Sequence, residues 1–198
     1  MTSLLPRLAV PDGPFDPTAL APRASEIWLE IGFGGGEHMA AQAARRADVL
    51  ILGAEPFLNG VASALRHVED GNLNNVRLKV DDARELMSAL PDACLDRVFV
   101  LFPDPWPKAR HHKRRLIQPE FIAQSARLLK GGGRFRFATD WADYADQTLG
   151  LFGRSPDFRW LAERADDWRW APADHVATRY EQKRLGDCSP IWLEYARV

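Results

Sequence analysis

The chain has 198 residues, of which 46% are hydrophobic and 27% are charged. This balance is typical of one globular domain, and it excludes collagen, coiled coils and wholesale disorder. The formal net charge of −1 favours neither a nucleic acid nor a membrane as partner by itself. The longest unbroken apolar stretch, residues 98–102, is far too short to span a membrane.

Residues 1–25 contain five prolines and are predicted to form a leader, with at most a short helix, ahead of a single domain over residues 26–198. They lack the charged start and long apolar core of a signal peptide. The two cysteines, Cys94 and Cys188, lie far apart, so both thiols are expected to be free, as in the cytoplasm. No metal site is predicted, because the five histidines form no ligand pattern.

Strand-like and helix-like segments alternate after this leader. Strands are predicted at residues 27–31, 49–54, 76–80, 97–102, 134–138, 158–162 and 191–196. Helices are predicted at residues 37–46, 57–68, 84–90, 119–129 and 142–152. The alternation indicates an α/β fold, with a doubly wound, mostly parallel sheet covered by helices on both faces. Ligands of such folds bind beyond the carboxyl ends of the strands, so the residues there are the functional candidates.

A glycine-rich turn follows the first strand, where Gly32 and Gly34 allow a tight turn and a close approach of the backbone to a ligand. The third glycine of the dinucleotide fingerprint is missing, because position 37 is a glutamate that would repel a pyrophosphate. The turn therefore favours a ligand without phosphates. A plain glycine turn without a ligand is the alternative.

Acidic residues follow the next two strands. Glu55 lies 19 residues after Gly36, about where a carboxylate accepts hydrogen bonds from a ribose, although it could simply begin a helix. Asp82 could accept from an adenine amino group, cap the helix that follows, or do both. With Glu30 placed near a sulfonium or amino group, these acids suit a cationic adenosine ligand. S-adenosyl-L-methionine (SAM) fits this pocket better than NAD or ATP does.

A proline-rich loop follows the fourth strand, in the sequence Phe102-Pro103-Asp104-Pro105-Trp106-Pro107. The prolines restrict themselves and the residues before them, so Asp104 is held as an acid that meets a substrate in fixed geometry. Trp106 either stacks on a base or packs in the core. The next eight residues, 108–115, carry five positive charges, either for phosphates or as a solvated helix start. The predicted phosphate contacts are Lys108, Arg110, Lys113, Arg114 and Arg115.

Two late segments are weaker signals. Asp140 follows the fifth strand and, in isolation, reads as a helix cap. Residues 178–184 are polar and could form a solvated helix that needs no function.

Five segments together resemble the bacterial tRNA (guanine-N7-)-methyltransferase family over residues 26–198. They are Glu30-Ile31-Gly32-Phe33-Gly34, Phe102-Pro103-Asp104-Pro105-Trp106-Pro107-Lys108, His112-Lys113-Arg114-Arg115, Ala138-Thr139-Asp140 and Thr178-Arg179-Tyr180-Glu181. The resemblance implies a class I methyltransferase sheet of seven strands with the last one antiparallel. It also implies methyl transfer from SAM to N7 of a guanosine in the tRNA variable loop, guanosine 46.

The resemblance also implies roles for individual residues. The acids that would contact SAM are Glu30, Glu55, Asp82 and Asp104, beside Gly32 and Gly34, and Asp104 is also the proposed catalytic residue. The residues that would contact the substrate are Lys108, Asp140, Thr178, Arg179, Tyr180 and Glu181. Family members usually carry a basic segment ahead of the first strand, whereas residues 1–25 hold only Arg7 and Arg23 as cations. We therefore expect this segment to contribute less to tRNA binding than it does in those family members.

The expected chemistry is a direct displacement, since guanine N7 has a free lone pair and needs no general base. Asp104 would stabilise the guanine as it becomes cationic, accept from its N1 and N2 hydrogens, or do both. The alternatives are a SAM-dependent methyltransferase with another substrate, a non-catalytic RNA-binding module and an NAD-dependent dehydrogenase. The sequence leaves open whether the protein is a monomer or a homodimer.

Overall fold

Seven strands form one sheet in the computed structural model, which describes residues 4–198. They are β1 (Glu26–Ile31), β2 (Val49–Ala54), β3 (Val76–Lys79), β4 (Leu95–Leu101), β5 (Leu129–Thr139), β6 (Phe158–Trp160) and β7 (Ile191–Arg197). Their order across the sheet is β3-β2-β1-β4-β5-β7-β6. Strands β1 to β5 are parallel, and β7 runs antiparallel to both of its neighbours. The predicted seven-stranded α/β sheet with an antiparallel last strand is therefore confirmed.

Helices connect the strands and cover the sheet. They are α1 (Leu5–Leu8), α2 (Glu37–Arg45), α3 (Leu58–Asp70), α4 (Ala83–Ala89), α5 (Pro119–Leu128), α6 (Ala142–Phe152), α7 (Asp166–Arg169) and α8 (Arg179–Lys183). Short 3-10 helices lie at Pro17–Leu20 and Ala109–Arg114. Every helix predicted above is present, with bounds that differ by at most two residues.

Side chains alternate between the two faces of the sheet and so build two cores. Ile27, Leu29 and Ile31 of β1 pack on the face that α4, α5 and α6 cover. Trp28 packs on the opposite face with residues of α2 and α3. Glu30 falls on the Trp28 face by the same alternation, and this decides its surroundings in the site.

Strand β5 begins five residues earlier than predicted and runs through Gly131 to Gly133. We expected these glycines to end a helix and precede the strand. Instead α5 ends at Leu128, the strand starts at once, and its pairing with β4 shifts in register between Leu95 and Arg97. Glycines at the exposed start of a strand mark such an irregularity as readily as a loop.

The predicted leader lies against the sheet over its described part. Ala9 forms a bridge with Leu78 of β3, and Leu8 and Val10 are buried. Phe15 N also donates to the carbonyl of Ala89, the last residue of α4. Residues 1–3 of the leader lie outside the described part of the chain.

Candidate active site

A cavity of about 390 Å³ opens at the carboxyl ends of the first four strands. Its lining includes Gly32 after β1, Glu55 after β2, Asp82 after β3 and Asp104 after β4. The volume is within the range of small-molecule sites. Four of the residues predicted to contact a cofactor therefore meet around one cavity, as expected for a doubly wound sheet.

The glycine turn brings Gly32 to the cavity lining, whereas Gly34 lies outside the lining and donates its N–H to Glu55. Gly32 has φ +68° and Gly34 has φ +52°, a left-handed conformation that other residues adopt only with strain. A Cβ atom at either position would meet nothing within 4 Å. The left-handed backbone conformation therefore explains why both positions are glycine. The free space beside them leaves room for a ligand.

Glu55 is held rigidly at the cavity wall and is only 4% exposed. Its Oε2 accepts from Gly34 N and its Oε1 from Phe57 N, both at 2.9 Å. The carboxylate thus joins the glycine turn to the start of α3. Each oxygen keeps a further lone pair, so the group can still accept from the two hydroxyls of a ribose.

Asp82 caps α4, which confirms one of its two predicted roles. Its Oδ1 accepts from Arg84 N at 2.9 Å and its Oδ2 pairs with Arg84 Nη1 at 2.9 Å. The side chain is exposed at the cavity rim. Its contact with an adenine stays a prediction.

Glu30 does not line the cavity. Its side chain lies on the α2 face of β1, where Oε2 is 2.7 Å from His38 Nδ1, and the residue is only 4% exposed. Ile31 and Gly32 line the cavity in its place, because successive strand residues face opposite sides. The predicted contact of Glu30 with SAM stays a prediction.

The proline-rich loop, residues 102–107, is strained at two positions. Phe102 has φ +52° and Trp106 has φ +43°, and Asp104 lies between them, exposed on the cavity lining. Left-handed backbone at residues other than glycine persists only where the surroundings enforce it, and such strain is concentrated at functional sites. The loop thus fixes the backbone of Asp104 while leaving its carboxylate accessible.

Trp106 lines the cavity and is only partly buried, so it does not pack in the core. The Arg114 guanidinium lies 4.9 Å from the centre of its ring. The His111 ring meets it edge-on at 5.9 Å. Packing in the core, one of the two predicted alternatives, is therefore wrong, and stacking on a base stays a prediction.

The basic run divides into exposed cations and one buried cation. Lys108, Arg110, Lys113 and Arg114 are exposed, and none of them forms an ion pair within residues 4–198. Arg115 is only 1% exposed and binds Asp143, Gln147 and the carbonyl of Pro105. The phosphate contact predicted for Arg115 is therefore corrected, since its guanidinium points into the protein.

Asp140 lies at the end of β5, near the loop. It is 5% exposed, and its Oδ1 accepts from the Tyr180 hydroxyl at 3.4 Å. Burial, followed by the Asp140 carboxylate, raises the pKa of Tyr180, so the phenol stays protonated and can donate. The prediction that Asp140 caps α6 is wrong, because Asp187 Oδ1 accepts from Ala142 N there at 2.9 Å.

The segment Thr178 to Glu181 begins α8 with a capping box. Glu181 Oε1 accepts from Thr178 N at 2.8 Å, and His175 Nε2 lies 2.9 Å from both Glu181 oxygens. Glu181 is thus engaged inside the protein, whereas Arg179 is exposed and its Nε lies 3.1 Å from Glu37 Oε1. The box orders this segment close to α2 and the glycine turn.

Comparison with known proteins adds the family. Residues 24–192 match the model of the family described as "Putative methyltransferase". A tRNA (guanine-N(7)-)-methyltransferase of Caulobacter vibrioides is 60% identical over 197 residues, which cover 100% of this chain and 87% of that relative. Another from Hyphomonas neptunium is 57% identical, over 96% of this chain and 86% of that relative. The chain belongs to the tRNA (guanine-N7)-methyltransferase family.

Among solved structures, a Streptococcus mutans protein described as a "putative methyltransferase" in complex with SAH matches with a TM-score of 0.58. The match covers 88% of this chain and 90% of that one at 12% identity, and it shows the fold alone. Membership of the tRNA (guanine-N7)-methyltransferase family confirms the predicted resemblance, enzyme class and methyl donor.

A buried histidine pair behind the site of this methyltransferase was missed by the sequence analysis. The His38 ring stacks on the His175 ring with 5.5 Å between centroids, and Gln42 contacts both His38 and the carbonyl of Asp174. Glu30 and Glu181 bind the two outer edges of the pair. The two histidines are 137 positions apart and show no shared pattern, so no signal in the sequence could have paired them.

Two features are absent from residues 4–198 of the methyltransferase. No helix there has the length and apolar character needed to cross a membrane. No group of three or more His, Cys, Asp or Glu side chains there could hold a metal ion.

Proposed function

We propose that this protein transfers a methyl group from SAM to N7 of guanosine 46 in the variable loop of tRNA, in the cytoplasm. One observation supports the proposal above all. The cavity that has Glu55 at one wall has Asp104 at another, and the loop of Asp104 leads directly into four exposed, unpaired cations. A cofactor pocket, a rigid acid and a surface for phosphates are thus contiguous.

The lining fits SAM. Its acidic side chains, Glu55, Asp82 and Asp104, favour a cation without phosphates, and the exposed backbone of Gly32 allows a close approach. We assign the ribose hydroxyls to Glu55 and the adenine to the rim at Asp82. When bound, SAM supplies an electrophilic methyl group on a positively charged sulfur.

Asp104 is the residue that we assign to the reaction itself. Guanine N7 already carries a free lone pair, so the protein needs no general base and its main task is alignment. The carboxylate of Asp104 lies where it can meet a guanine beside the cavity. A fixed negative charge there stabilises the positive charge that develops on the base, and it can also accept from the guanine N1 and N2 hydrogens.

The tRNA would be held by two surfaces beside the cavity. Lys108, Arg110, Lys113 and Arg114 present exposed cations to phosphates. We also assign substrate contacts to the Asp140–Tyr180 pair and to the ordered start of α8 at Thr178 and Arg179. We assign Glu181 an indirect role: its capping box holds this segment in place.

Methyl transfer from labelled SAM to an unmodified tRNA transcript tests the proposal. We expect one label per transcript, at N7 of guanosine 46. The matched control is the same transcript with adenosine at that position, which should remain unlabelled. Label at another nucleotide would assign a different RNA site. If SAM binds but no methyl group is transferred to either transcript, the substrate is not tRNA.

A further inference from the structure

Arg115 is a buried cation in the middle of a basic, solvent-facing run. Its side chain is 0% exposed, while the neighbouring Lys113 and Arg114 are exposed. A guanidinium is always charged, so its burial is tolerated only where acceptors surround it. A residue whose purpose was to bind phosphates would have no reason to be placed there.

The Arg115 guanidinium joins the proline-rich loop to α6. Its Nε donates to the carbonyl oxygen of Pro105 at 2.8 Å. On the other side, Nη2 donates to Asp143 Oδ2 at 2.7 Å and Nη1 to Gln147 Oε1 at 2.8 Å. The guanidinium also lies 4.7 Å from the centre of the Tyr144 ring. Its planar fork thus fixes one loop carbonyl relative to three side chains of one helix.

The loop has few other means of holding its shape. Pro103, Pro105 and Pro107 have no backbone N–H to donate. Among residues 4–198, the bond from Arg115 to Pro105 is the one hydrogen bond made by residues 103–107. Yet the left-handed backbone at Phe102 and Trp106 is strained and must be enforced from outside.

We propose that Arg115 is a positioning residue, whose guanidinium holds the proline-rich loop so that Asp104 meets the guanine in a fixed geometry. Pro105 directly follows Asp104, so a shift of its carbonyl moves the carboxylate as well. This proposal rests on the function proposed above. It separates Arg115 from the exposed cations of the same run, which act on the tRNA backbone.

Arg115→Lys tests the proposal, because lysine keeps the charge and loses the planar fork. We expect kcat for tRNA methylation to fall about 10- to 100-fold, since a misplacement of about 1 Å can reduce a rate that much. The KM values for SAM and tRNA should stay within about threefold, because no ligand contact is removed.

Arg127→Lys is the matched control. Arg127 likewise donates to backbone carbonyls, those of Leu90 and Met87, and pairs with Asp92, but it does not line the cavity. We expect this variant to keep kcat within about twofold of the wild type, even where it lowers stability. An equal loss of kcat in both variants would mean that general destabilisation, and not the loop, is responsible.

Nuclear magnetic resonance gives a readout that needs no activity. The backbone amide resonances of Asp104 and Trp106 should shift or broaden in Arg115→Lys relative to the wild type, and they should keep their wild-type positions in Arg127→Lys. If the wild-type protein fails to methylate tRNA, the proposed function fails, while these resonances still decide whether Arg115 holds the loop.

Asp143→Asn serves as the second variant if Arg115→Lys does not fold. It weakens one bond of the guanidinium and keeps an acceptor, so we expect a kcat loss of about 3- to 10-fold with shifted Asp104 and Trp106 amide resonances. Unchanged kcat and unchanged loop resonances in the folded variants would overturn the proposal. So would a loss confined to tRNA affinity and its salt dependence, which would make Arg115 a phosphate contact.

Discussion

Glu55 and Asp104 place two carboxylates around one cavity, and their surroundings give them different tasks. Glu55 is 4% exposed and both of its oxygens accept backbone N–H bonds. Asp104 is exposed and makes no hydrogen bond within residues 4–198. A carboxylate that is already engaged suits static binding, whereas an accessible one on a rigid backbone suits contact with a reacting base.

Asp104→Asn should therefore act on turnover. The substitution removes the negative charge while keeping the size, so we expect kcat to fall about 100-fold and SAM affinity to fall much less, by about threefold to 10-fold, because Asp104 also belongs to the acidic lining. Single-turnover methyl transfer and calorimetric SAM binding measure the two quantities. Asp70→Asn, at an exposed residue of α3, is the control and should change neither. Full turnover in Asp104→Asn would remove Asp104 from the reaction.

Glu55→Gln should act on SAM binding instead. A glutamine offers one acceptor oxygen where two backbone N–H groups and a ribose diol require several, so a polar group is left unsatisfied. We expect the Kd for SAM to rise about 10-fold or more, with kcat at saturating SAM within about threefold. Titration calorimetry and initial rates provide the measurements. An unchanged Kd would place the ribose elsewhere.

At the scale of elements, the basic 3-10 helix Ala109–Arg114 and the preceding Lys108 form a cationic surface that reaches the cavity at Arg114. Replacing Lys108, Arg110 and Lys113 together with glutamine should weaken tRNA binding and lower its salt slope by about 2 to 3. Binding measured between low and moderate salt gives the slope. The control replaces three distant exposed arginines, Arg66, Arg159 and Arg164. Equal slopes in both triple variants would mean that the run is merely solvated.

Helix α8 depends on His175 for its position. An isolated helix of five residues is not stable, so contacts from outside must hold it. His175 supplies them through Glu181 and through its ring, which lies 4.3 Å from that of Trp192. His175→Ala should raise the KM for tRNA about 10-fold and leave the Kd for SAM within about threefold. His67→Ala is the control. An unchanged KM for tRNA in His175→Ala would mean that α8 does not contact the substrate.

The sequence was sufficient for elements with a strong apolar pattern. Strand β2 and helix α6 have the predicted bounds, because β2 is one continuous apolar run and α6 repeats its apolar residues at helical spacing. The early start of β5 was hidden by its glycines. Helices α7 and α8 are short and lack an apolar stripe, so long-range contacts decide them. The same holds for the site. The ends of the predicted strands located the cavity, but nothing in the sequence of residues 108–115 indicated that Arg115 is the buried cation.

At the scale of the whole molecule, charged groups fasten the chain between β6 and β7 to the sheet. Asp174 lies 2.8 Å from Arg136 Nη1 and 3.5 Å from Arg97 Nη1, two side chains on β5 and β4. Arg136 is only 5% exposed and also pairs with Glu194 of β7. If Arg136 lost these partners, its buried guanidinium would keep an unpaired charge. We therefore expect the chain between β6 and β7 to stay packed on the sheet until the protein unfolds.

The pairing of Asp174 predicts how stability depends on pH. Burial raises the pKa of Asp174, but its bonds to the Arg136 and Arg97 guanidinium groups outweigh burial and leave the pKa below its ordinary value. The folded protein therefore holds this proton less tightly than the unfolded chain does. The contribution of the carboxylate to stability is full above the unfolded pKa of about 3.9 and is lost as the pH falls through the lower folded value.

Asp174→Asn should thus lower the free energy of unfolding at pH 7 by about 1–2 kcal/mol, between the values for exposed and buried pairs. The difference from the wild type should shrink toward pH 3, because protonation then removes the same charge from the wild-type protein. Urea unfolding at pH 7, 5 and 3 measures this, with Asp146→Asn, at an exposed residue of α6, as the control. A difference that stays constant down to pH 3 would mean that the ion pair does not stabilise the fold.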